Sequence, residues 1–331
     1  MSILYLCGMA ALDVTRYLRA TNDGEIPGRT PRTRRLRGAI HSNAGLSELS
    51  DDAQRLLSHV RGKIEAMVPS HQQATETSQL VTHEWTSAVP VGAFIDLGNG
   101  IYLSSPQFLF LQLGTQLSHV EHVALGMELC GFYSRWGIPT RLNATANDEH
   151  KLATYGLKPS TSVQKLDAFV SRQTGKRGAQ TARAALRRVL DSSASPMETA
   201  IYLLLCLPRS MGGRGLPAPV LNAKVRVTTS STHEERYPDL YWPTRFVDAE
   251  YQSDFAHSGD WARYRDSQRE IELEAEKITV LPLTRKQLMD PDGFNAFAIS
   301  VRRNLGVRSR PLPADWWAKY QELRETLLWT S

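Results

Sequence analysis

The chain has 331 residues, of which 41% are apolar and 22% charged, with 22 Gly and 17 Pro scattered along it. That length suggests two domains, and that composition excludes a disordered, collagen-like or coiled-coil chain. Lysine plus arginine outnumber aspartate plus glutamate by 39 to 34, for a net charge of +5, a mild bias toward polyanionic partners.

Residues 3–12 form an apolar run that continues with helical spacing through Asp13, Arg16 and Arg19. No basic residue precedes it, so an ordinary helix is expected rather than a signal peptide. Neither this run nor the tract Ala200–Leu207 reaches the roughly 18 to 20 apolar residues that cross a bilayer. Cys7, Cys130 and Cys206 are odd in number, far apart and set in apolar surroundings, which argues against disulfides or a zinc site and fits a reducing cytoplasm.

Five arginines follow: Arg29, Arg32, Arg34, Arg35 and Arg37. They lie among Pro27, Gly28 and Pro31 without apolar period, which predicts a mobile basic loop outside the core. A second basic stretch holds Arg172, Lys176, Arg177, Arg183, Arg187 and Arg188. Both are candidates for phosphate contact, and Arg29, Arg32, Arg34, Arg35, Arg37, Arg183, Arg187 and Arg188 are the nucleic-acid-binding candidates; the alternative is ordinary solvated charge.

Between them, residues 76–145 read as an α/β unit. Strand-like runs at Val91–Leu97 and Ile101–Leu103 flank Gly98, Asn99 and Gly100, a hairpin signal, and Ser105-Pro106 opens the first of two helices. Residues 143–162 are poor in large apolar groups, so the domain boundary is placed there: residues 1–150 as an N-terminal α/β or winged-helix-like recognition domain, 151–194 as a helical linker with helices at Val163–Gln173 and Ala179–Leu190, and 195–331 as a second domain.

In that second domain the spacing predicts a helix at 196–206, strands at 223–229, 237–242 and 246–252 forming a meander, a helix over 260–277, a strand at 278–283, and helices near 293–304 and 313–329. Three acids stand out: Glu198 on the first helix, Asp239 on the second strand and Glu250 on the third. Asp248, Glu250 and Gln252 share one face of that strand. Clustered carboxylates suit phosphodiester hydrolysis because they hold Mg²⁺ or Mn²⁺, which offsets phosphate charge and lowers the pKa of an attacking water. Plainer readings stand beside this one. Ser195-Pro196-Met197-Glu198 is also a capping box, and the polar strand face is also an ordinary solvated side of a sheet.

Pro238-Asp239, then Glu250, Tyr251 and Gln252, resemble the PD-(D/E)xK nuclease signature, with Gln252 where that signature has lysine. Ser195 to Glu198, Asp239, the 247–252 strand with His257, and Asp266 with Arg269 ahead of the last strand are similar to the very-short-patch-repair-like endonucleases of that superfamily, over residues 178–305. The resemblance implies a restriction-endonuclease-like αβββαβ core. It implies metal binding by Asp239 and Glu250 with Glu198 in support, Gln252 as water-orienting group, His257 as a further catalytic candidate, and DNA as partner. The usual Asp-Gly after Glu-Tyr is replaced by Gln252 and Ser253, with Asp254 or His257 as candidate compensation. His83, Val89-Pro90-Val91-Gly92-Ala93 and Ser105-Pro106 resemble a domain of abortive-infection antitoxins.

The expected function is therefore a Mg²⁺- or Mn²⁺-dependent DNA endonuclease of host defence or repair, with a homodimer as the candidate assembly. The alternatives are a non-catalytic DNA-binding transcriptional regulator and an antitoxin-like protein on a nuclease fold.

Overall fold

A computed structural model describes residues 2–136, 153–228, 233–252 and 276–328. The chain is mixed α/β and divides into two compact units. The first takes the described residues through Trp136 together with Ala153–Val189, and the second takes those from Leu190 onward. Among the described residues no helix is long and apolar enough to cross a membrane.

The first unit is built on a mixed five-stranded sheet, so of the two N-terminal alternatives it takes the α/β one. Strand β1 (Leu4–Leu6) is wholly buried at its centre. It pairs antiparallel with β2 (Ile64–Val68) and parallel with β5 (Ile101–Ser104); β3 (Leu80–Glu84) runs parallel to β2, and β4 (Phe94–Gly98) antiparallel to β5. The β4–β5 turn is the expected hairpin. Gly98, Asn99 and Gly100 all take positive φ (82°, 50° and 78°), a conformation that glycine and asparagine adopt at least cost.

Helix α1 (Gly8–Thr21) follows β1 directly, while α2 (Asn43–Ser47) and α3 (Asp51–Leu57) are short. Ser105 caps α4 (Pro106–Leu113), with Pro106 in its first turn, and Ser118 and Glu121 form a capping box on α5 (His119–Leu129). Residues 153–189, expected as linker, belong to this unit: β7 (Thr154–Tyr155) pairs antiparallel with β6 (Tyr133–Ser134), and Leu166 and Val170 of α6 (Val163–Ser171) and Ala182 and Ala185 of α7 (Ala179–Leu186) are fully buried.

Inside the unit, Arg16 binds Glu128 bidentately (Nε to Oε1 2.9 Å, Nη2 to Oε2 2.6 Å), and the fully buried Arg19 donates to the carbonyls of Glu128 and Gly131. Burial alone would push the Glu128 carboxyl up. Arg16 and Arg135 more than offset that and hold it below the ordinary carboxylate range.

The arginine-rich loop departs from expectation. Leu36, Ala39 and Ile40 are buried, Ile3 N donates to Gly38 O and Ile40 N to Ile3 O, and the Tyr5 hydroxyl donates to Arg37 O. The segment is a strap laid beside β1, anchored by these three apolar residues while the arginines are exposed.

The second unit opens with α8 (Pro196–Cys206), every residue of which is buried, as the apolar run required. Its sheet has the order β13-β12-β11-β8: β8 (Val220–Leu221), β11 (Leu240–Trp242) and β12 (Val247–Gln252) are antiparallel neighbours, and β13 (Thr279–Thr284) lies parallel to β12. The predicted strand at 223–229 is displaced from this sheet. As β9 (Val225–Thr228) it pairs, among the described residues, only with β10 (His233–Arg236), and β8 takes its place beside β11. The helix expected over 260–277 lies almost wholly outside the described residues. Helices α9 (Arg285–Met289), α10 (Pro291–Asn304) and α11 (Trp316–Leu328) complete the unit.

Candidate active site

The β11–β12 register sets the geometry. Leu240 faces Ala249, Tyr241 faces Asp248 and Trp242 faces Val247, so the ladder ends with Asp239 just before β11 and Glu250 next after Ala249 on β12. The Asp239 carboxylate is further fixed by the Tyr251 backbone N–H, which donates to Oδ2 at 2.8 Å. Asp239, Glu250 and Gln252 are half-buried.

The polar face of β12 is not an ordinary solvated one. Asp248 is fully buried beneath Tyr241, whose hydroxyl is pushed above its usual pKa first by burial and then by the Asp248 charge. Glu250 is two residues along the same face, or roughly 6.6 Å of strand rise.

Glu198 is reached through a residue the sequence reading missed. Ser195 Oγ accepts from Glu198 N at 3.0 Å, giving the expected N-cap, but the Glu198 carboxylate does not turn back to Ser195; Oε2 accepts from Ala194 N at 2.9 Å and from Asn222 Nδ2 at 2.7 Å. Asn222 also donates Nδ2 to Ser192 O and its backbone N–H to Asp239 O. It sits just after β8 with φ of +45°, a conformation asparagine tolerates better than most residues. The helix acid and the strand acid are thus joined through one asparagine, 24 residues from Glu198 and 17 from Asp239. Its only sequence signal is an Asn immediately before the strand-like run at 223–229.

Two carboxylates near one ladder end suit Mg²⁺, which commonly takes one or two protein carboxylates and completes its octahedron with water and phosphate oxygens. Among the described residues no group of three or more His, Cys, Asp or Glu side chains is placed to hold a metal ion. With Oε2 engaged by two donors, Glu198 braces the α8–β8 corner and stands as a supporting candidate beside Asp239 and Glu250. His257, Asp254, Asp266 and Arg269 lie outside the described residues.

The basic candidates all belong to the first unit. Arg32, Arg34, Arg35, Arg37 and Arg187 are exposed, Arg183 and Arg188 half-buried, and Arg29 pairs with Asp96 at 3.2 Å. The two basic stretches meet at one loop: Val89 N donates to Arg34 O, and Lys176 Nζ lies 5.8 Å from the ring centroid of Trp85.

No family model matches the chain. Nor does any curated protein or solved structure. The functional reading therefore stands on residues and geometry.

Proposed function

We propose that the chain is a divalent-metal-dependent DNA endonuclease that acts in a reducing compartment, the cytoplasm. The observation that carries this reading is that Asp239 and Glu250 adjoin the same end of the β11–β12 ladder, where the Tyr251 N–H meets the Asp239 carboxylate, with Glu198 tied to Asp239 through Asn222. Asp239 and Glu250 would hold Mg²⁺ or Mn²⁺, which supplies charge neutralisation and an activated water. The Tyr251 N–H orients the Asp239 carboxylate, and the Gln252 amide can orient a water or phosphate oxygen without adding charge. The exposed strap arginines and the basic face of α7 supply the backbone contacts.

The test is incubation of supercoiled plasmid with Mg²⁺ or Mn²⁺, with and without EDTA. Nicking or linearisation that EDTA abolishes, and that Asp239→Asn and Glu250→Gln lose while binding DNA as well as or better than wild type, is the expected result. Intact plasmid with every metal, from protein shown to be folded, overturns it.

A second reading is favoured by one residue. Gln252 leaves the position without a cation, as a DNA-binding regulator on the same fold would, and that reading predicts plasmid binding without cutting.

A further inference from the structure

The second unit carries a basic surface of its own, assembled from three separate loops. Arg209 and Arg214 follow α8, Arg245 and Phe246 form the β11–β12 turn, and Arg308 and Arg310 lie between α10 and α11. These loops are in contact: Arg209 Nη1 donates to Pro311 O, the Arg245 guanidinium packs beside Gly306, and Trp316 Nε1 donates to Gly213 O at 2.9 Å.

Charge on this surface is unbalanced. Arg245, Arg308 and Arg310 are exposed, and among the described residues no carboxylate lies within ion-pair distance of them or of Arg209. The one acid beside Trp316, Asp315, is already paired with Lys319 at 2.7 Å.

Aromatic rings punctuate the same surface. Trp316 stacks on Tyr320 at 4.7 Å with the Arg214 guanidinium 4.2 Å above it, which makes a rigid base. Against that base stands Trp317, 5.5 Å from Tyr320 and 50% exposed. Phe246 is 53% exposed and holds φ at +52°, a conformation unfavourable for a bulky side chain, at the turn tip beside Arg245. Unpaired guanidinium groups among exposed rings are what a single nucleic-acid strand requires, the former for phosphates and the latter for unstacked bases.

We propose that this face, with Arg209, Arg245, Arg308 and Arg310 as phosphate contacts and Trp317 and Phe246 as stacking rings, binds single-stranded DNA. The proposal rests on the nuclease reading for the choice of nucleic acid as partner, and it adds a contact remote from the acids. Phe246 precedes Glu250 by four residues of strand, or roughly 13 Å, so a strand held here extends well beyond a phosphate at Asp239 and Glu250.

The experiment is a fluorescence-anisotropy titration of labelled oligo(dT) of about 20 nucleotides against the full chain, without metal, at several salt concentrations. Trp317→Ala should weaken binding by about 5- to 150-fold, Trp317→Phe should recover part of that, and Arg308→Ala with Arg310→Ala should flatten the salt slope by about 1.4. The titration holds no metal and reads binding alone, so its outcome is separate from that of the plasmid-cleavage assay. Wild-type affinity and slope in the Trp317 and arginine variants overturns the proposal, as does a duplex of equal length that competes as well as the single strand.

Discussion

Asn222 donates its side-chain amide to Glu198 Oε2 at 2.7 Å, and in doing so joins the first turn of α8 to the edge of the sheet that carries Asp239. Hydrogen bonds to a charged acceptor contribute more than neutral ones, and an alanine at positive φ adds strain of its own. Asn222→Ala is expected to lower unfolding free energy by about 2 to 4 kcal/mol, and Asn222→Gly, which relieves the strain but loses the same bonds, by about 1 to 2 kcal/mol. Urea denaturation of both variants checks this. A glycine variant as stable as wild type would show that the amide contributes nothing net.

Gln252 ends β12 opposite Thr284 of β13, half-buried and on the face shared by Glu250. Under the nuclease reading a lysine there places a cation beside the scissile phosphate. Gln252→Lys is then expected to raise the single-turnover rate at saturating Mg²⁺, by up to about the tenfold that each 1.4 kcal/mol of transition-state stabilisation gives. The regulator reading expects no cleavage from either form.

What the sequence made legible was local. The start of α8 at Pro196 could be read from Ser195 and Pro196 because a cap and a first-turn proline are chemistry of adjacent residues, and the β4–β5 turn from Gly98 and Gly100 for the same reason. Pairings between distant segments were not legible. Nothing in residues 223–229 says that they leave the main sheet for β10, and nothing in Leu36, Ala39 and Ile40, scattered among arginines, says that they seat the strap beside β1. The site divides the same way. Asp239 and Glu250 come together by a short turn that period-two reasoning can follow, whereas Asn222 meets Glu198 only because β8, and not the predicted strand, pairs with β11.

The strap bears on DNA affinity differently once it is seen to be anchored. A preorganised row of guanidinium groups loses less freedom on binding than a mobile loop, so its contacts should survive as a distinct part of the salt dependence. Replacing Arg32, Arg34, Arg35 and Arg37 together by Ala is expected to weaken duplex binding almost equally across sequences and to flatten the slope of log affinity against log salt by up to about 3 to 4. Arg29→Ala should have a smaller effect, since Asp96 already offsets its charge. An unchanged slope in the quadruple variant would return the strap to ordinary surface charge.

His122 predicts an acid limit to the stability of the first unit. It is 1% exposed, lies 4.2 Å from the Phe110 ring and donates Nε2 to Phe110 O at 2.8 Å. Burial, partly opposed by that hydrogen bond, brings its pKa down to about 4. The unfolded chain therefore takes up a proton near pH 6.5 that the folded unit refuses until about pH 4, so stability from this group is complete above pH 6.5 and is lost as pH falls through that interval. The loss amounts to about 3 kcal/mol at the conversion of 1.36 kcal/mol per pH unit. His122→Gln keeps a donor for Phe110 O and cannot be protonated, so its urea midpoint should fall less between pH 7 and pH 4 than the wild-type midpoint does. Parallel midpoint curves for the two proteins would show that His122 is not the group that sets the limit.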